Sequence, residues 1–221
     1  MILQGNQGQT GKQTGQNITA GVGEFSDILV SEFQGRFYEQ NYRGQLFGNG
    51  VTALTALTAN TITLTNTTTP ILGVWNPLSS GVNLVILQAT LASGINNAAS
   101  TGPGAFVWAG SVGNSALTLG TAPVNHSNLT SAGSKAKGLA FVALTGLTNN
   151  LVLLEAADFP TPTIITTAAV STAIQTPTVS YTQNIDGSFI VPPGGVLALL
   201  NTVSTTTVSV TGRLLWAEVT V

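Results

Sequence analysis

The chain has no cysteine. That excludes disulfides, thiolate chemistry and cysteine-based metal sites, and it leaves the redox compartment open. Charge is scarce too. Lys and Arg together number 6, Asp and Glu 8, and the net charge is −2. Charged residues are 6% of the chain, against about 25% in ordinary soluble domains. So few basic residues make no phosphate-tracking stripe, and nucleic acid is not an expected partner. No apolar run reaches the roughly 18 residues that a membrane-spanning helix needs. Even "LTGLTNNLVLLEAA" is interrupted by polar residues, so no membrane partner is expected either. The opening "MILQGNQGQTGKQTGQ" has no charged n-region and no apolar h-region, and it does not read as a signal peptide.

Catalytic signatures are missing as well. His126 is the sole histidine, in the loop-like "APVNHSNLTSAG". One histidine without cysteine does not build a His-rich metal centre. His126, Asp158 and many serines would satisfy a Ser–His–Asp count, but no G-x-S-x-G marks an activated serine. Glu155 and Asp158 are close in sequence, in "LLEAADFP", which reads as a strand end and a turn rather than a glycosidase pair. Asp186-Gly187 reads as a turn. No D-x-D-x-D-G loop supports a calcium site. No GxxxxGK[ST] and no strand-linked GxGxxG supports nucleotide binding. No catalytic, cofactor or metal site is assigned.

What the chain does hold is Thr, Ala, Val, Leu, Asn and Gly. Its 221 residues suit one main β domain and can bury about 70% of the unfolded surface without a metal or disulfide. High hydropathy with little charge fits a subunit that buries much of its surface against copies of itself. The alternative is a Thr/Asn-rich surface solvated without charge. Residues 1–23 are rich in Gly, Gln, Asn and Thr, and read as a flexible tail or as an arm that orders on a partner.

Residues 24–47 differ. "SEFQGRFYEQNYRGQLFGNG", residues 31–50, holds three of the eight Phe, two of the three Tyr and two of the three Arg. Glu32–Arg36 and Glu39–Arg43 are acid-before-base pairs at i,i+4. Phe25, Leu29, Phe33 and Phe37 recur every four residues. With Ser31 as N-cap, the spacing predicts a short helix over Ser31–Tyr42, although Gly35 weakens it by about 1 kcal/mol relative to Ala. The competing reading is an extended arm.

From Gly48 onward the period becomes two. "TITLT", "GVNLVILQATL", "GAFVWAGSV", "SALTLGTAPV", "KGLAFVALTGL", "NNLVLLEAA", "TIITTAAVST" and "TPTVSYTQNI" read as strands, with "KGLAFVALTGL" and "NNLVLLEAA" as buried ones. At the end come a strand to Val191, a PPGG corner, and strands Val196–Leu200, Thr206–Val210 and Arg213–Val219. The prolines lie between these segments, as the ladder requires. Turn signals every 8–12 residues or so predict an all-β sandwich or barrel. Trp75, Trp108 and Trp216 sit in apolar strand contexts and are expected in the core or between subunits rather than as a sugar platform.

The stretch "VPPGGVLALLNTVSTTTVSVTGRLLWAEV" resembles the closing strands of trimeric jelly-roll virion proteins of tailed bacteriophages. It has a Pro/Gly corner, a V-L-A-L strand, a Thr-rich strand and a final W-x-E strand. The rest of the chain is similar in general character, with a polar arm and a charge-poor, Thr-rich body. The resemblance implies a jelly-roll-like β-sandwich over 48–221, preceded by an N-terminal arm and docking segment over 1–47 with a short helix. It implies a homotrimeric head-decoration (cement) subunit on the capsid surface, bound to the major capsid protein, with no enzyme activity and no cofactor. Phe33, Arg36, Phe37, Tyr38, Tyr42, Arg43 and Phe47 are then interaction residues, the rings as hot spots. Alternatively, the segment packs across its own sandwich. A tail-fibre or spike subunit binding host glycan is the competing function, although no shaft repeats are present. A coat protein of a non-tailed virus would need a basic arm, and this arm has only Lys12.

Overall fold

Alternation in "GVNLVILQATL" yields a long strand because β-branched and apolar side chains fit one face of a pleat. A computed structural model describes residues 4–5, 18–19, 37–51, 55–56, 69–95, 104–115, 117, 124–125, 129–130, 133–141, 144–160, 179–203 and 208–221. The chain divides into two compact units, residues 1–38 and 39–221. In the first, β1 (Gln4–Gly5) and β2 (Ile18–Thr19) form a short antiparallel pair.

The one-turn helix α1 (Tyr38–Tyr42) leads into the β body. Its strands are β3 (Leu46–Gly50), β4 (Thr55–Ala56), β5 (Leu72–Trp75), β6 (Val82–Ile95), β7 (Phe106–Ser111) and β8 (Val124–Asn125). There follow β9 (Lys137–Leu139), β10 (Val152–Ala156), β11 (Val179–Asn184), β12 (Ile190–Val191), β13 (Val196–Asn201) and β14 (Val208–Thr220). Two antiparallel sheets pack together as an all-β sandwich. One sheet has the order β10-β7-β13-β5-β9. The other has β11-β6-β14-β3-β8, with β12 also on β6 and β4 also on β14.

Four ladders are nested along the chain. β3 pairs with β14, β5 with β13, β6 with β11, and β7 with β10. The chain thus behaves as one long antiparallel ribbon whose successive pairs fall alternately in the two sheets. Two further ladders, β6 with β14 and β7 with β13, close each sheet.

The core follows strand parity. Leu72, Val74, Phe106, Trp108, Leu197 and Leu199 meet Leu84, Ile86, Leu91, Val210, Leu214 and Trp216 in one cluster between the sheets. Each large apolar side chain buried there contributes about 1.5–3 kcal/mol. The intervening residues Trp75, Val107, Ala109, Val196, Ala198 and Leu200 form a second cluster with Leu117, Leu139, Leu144, Leu147 and Leu151. The β5-β7-β13 sheet is therefore covered on both faces, which is why β13 is buried throughout.

Several expectations change. Among the described residues of "KGLAFVALTGL", Lys137–Leu139 is the part that pairs as a strand, with β5; beyond it, Leu144 and Leu147 cover the sheet's outer face from a loop. "NNLVLLEAA" does form β10, but every residue of β10 is exposed, because it is the terminal strand of its sheet. Thr206–Val210 and Arg213–Val219 are not separate strands. Thr211-Gly212 is no turn: both residues stay in β14, opposite Ala92 and Leu91. A Cβ at Gly212 would overlap the Thr90 carbonyl oxygen, so glycine here serves close approach. Of the helix expected over Ser31–Tyr42, residues 31–36 lie outside the described residues. Phe37 has φ 67°, a left-handed conformation that ends a right-handed helix, and α1 starts after it. The boundary at 47/48 falls inside β3. "TITLT" and "TIITTAAVST" lie outside the described residues, as does "SALTLGTAPV" apart from Ser115, Leu117 and Val124.

Other expectations hold. Asp186 and Gly187 have φ 51° and 83°, positive at both central positions as a type I′ turn demands. Ser188 N–H closes that turn on the Ile185 carbonyl at 3.0 Å. The PPGG corner closes by Gly195 N–H to the Pro192 carbonyl at 2.8 Å.

Candidate functional site

The residues expected to dock are only partly brought together. Phe33 and Arg36 lie outside the described residues. Tyr38 and Tyr42, 47% and 59% exposed, sit at the two ends of α1, and the exposed Arg43 follows. Phe37 is half-buried. Phe47 is not a surface residue. It lies on β3 opposite Trp216 of β14, 3% exposed, within the inter-sheet core. Strand parity put it there: its apolar ring faces inward once Leu46–Gly50 joins the sheet.

A second surface has no counterpart among the residues expected to dock. A cleft of about 500 Å³ is lined by Gly110–Val112, Asn149, Asn150, Val152, Leu154, Ser188–Pro192, Val196 and Leu197. None of these residues is charged. One wall is β10, where Val152, Leu153 and Leu154 are 62%, 52% and 48% exposed. Val112 and Ile190 add further exposed apolar surface.

A buried asparagine holds the cleft mouth. Asn114 donates from Nδ2 to Ser111 Oγ at 2.9 Å and to the Gly194 carbonyl at 3.3 Å. Its Oδ1 accepts from the N–H groups of Thr148 at 2.9 Å and Asn149 at 3.4 Å. Asn149 Nδ2 in turn donates to the Val112 carbonyl at 2.7 Å. Three loops are tied by two amide side chains, without any charge.

Among the described residues, side chains that could do chemistry are not assembled. Glu155 and Asp158 are exposed, and Asp186 is in its turn. His126 lies outside the described residues. Among the described residues no three His, Asp or Glu form a metal-binding group. No helix among them is long and apolar enough to cross a membrane. The three tryptophans are buried, which removes them as a sugar platform. Trp108 also donates from Nε1 to Gln183 Oε1 at 3.0 Å, joining β7 to β11 across the sandwich.

Glu218 is the carboxylate whose role the sequence does not announce. It is buried. Its Oε1 accepts from Ser134 Oγ at 2.6 Å, and Oε2 accepts from Lys135 N–H at 3.0 Å. The Ala136 N–H also reaches Oε1 at 3.4 Å. The last strand thereby holds the loop that leads into β9.

Comparison with protein-family models, with curated proteins and with solved structures finds no match to this chain.

Proposed function

We propose that this chain is a non-enzymatic structural subunit of a virion, a trimeric head-decoration protein that stabilises a phage capsid by binding its major capsid protein. The observation that carries the reading is the nested ladder order β3·β14, β5·β13, β6·β11 and β7·β10. Nested pairing of this kind supports a jelly-roll reading of the sandwich, an architecture of viral shell domains. The same winding serves other proteins, so role is argued from surfaces rather than fold. Those surfaces support a binding part without chemistry: charge is sparse, while Tyr38, Tyr42 and an apolar cleft are exposed. In this reading Tyr38, Tyr42 and Arg43 contact the capsid, with Phe33, Arg36 and Phe37 beside them in sequence, and Phe47 supports them from the core.

The test is co-sedimentation of the full chain with purified tailed-phage heads. The double variant Tyr38→Ala/Tyr42→Ala should bind at least about tenfold more weakly, as loss of aromatic anchors does. Thermal unfolding of the variant, measured alongside, separates loss of binding from loss of folding. A parent chain that never joins the particles, or a variant that binds equally well, would overturn the reading.

A further inference from the structure

We draw no further inference here: the strongest candidate, the uncharged cleft of about 500 Å³ walled by the exposed Val152 and Leu154 of β10 and Ile190 of β12, carries nothing, because nothing among the described residues shows what covers it.

Discussion

Among the described residues Glu218 is the charged side chain that the interior admits. It is tolerated because its two oxygens receive a hydroxyl and backbone N–H groups of the loop before β9. Glu218→Ala would strand those donors in a buried site. It should cost about 3 kcal/mol, by the usual penalty for unpaired buried groups, read as a lower urea midpoint with unchanged m-value. Glu218→Gln keeps one acceptor oxygen and should lose clearly less. Equal stability of the alanine variant and the parent would show that the loop is held by something else. Nothing in "LLWAEV" separates this glutamate from a solvated one. Its position at an even step of β14, in phase with Leu214 and Trp216, points it inward, and only the neighbouring loop makes that acceptable. Phe47 carries the same lesson in reverse. As a ring near other rings it reads as an anchor, but membership of β3 decides that it faces the core.

At the scale of elements, β14 shows how alternation and turn chemistry compete. Thr211-Gly212 carries the residue types of a turn. In the sheet, Gly212 instead faces the core against Leu72 and Leu91 and gives way to the Thr90 carbonyl. Gly212→Ala should destabilise the sandwich by about 1–3 kcal/mol, the usual cost of overpacking, and this would appear as a lower melting temperature. A neutral effect would mean that β6 and β14 can part at no cost. Strands β6, β7, β11 and β13 were legible because alternation and bounding Gly, Pro and Asn agree. The Asp186-Gly187 turn was legible because few residue pairs tolerate two positive φ angles. The exposure of β10 was not. A run of three apolar residues reads as buried whenever the strand order is unknown, and edge position is a property of the sheet.

At the scale of the whole molecule, sparse charge sets how this chain meets others. The net charge is −2 and the sequence pI is about 5.1, so copies repel one another weakly near neutral pH. An association through apolar surface rather than through ion pairs should not be screened by salt. Raising sodium chloride from about 50 to about 500 mM should leave the mass of the assembly unchanged or larger, since burial of apolar surface drives it. A mass that falls with salt would place the contact on charged residues such as Arg43 instead.

Composition and period by themselves determined that this is an all-β chain without thiol chemistry, with its strands divided by Gly, Pro and Asn. Those properties follow from local sterics and solvation, which each short stretch carries within it. Tertiary structure alone decided the rest: that Phe47 is core, that Glu218 is a latch, that β14 is one strand, and that β10 is exposed at the end of its sheet among the described residues. Each of these depends on which distant segment lies alongside, and that is set by the closing of ladders between residues far apart in the chain.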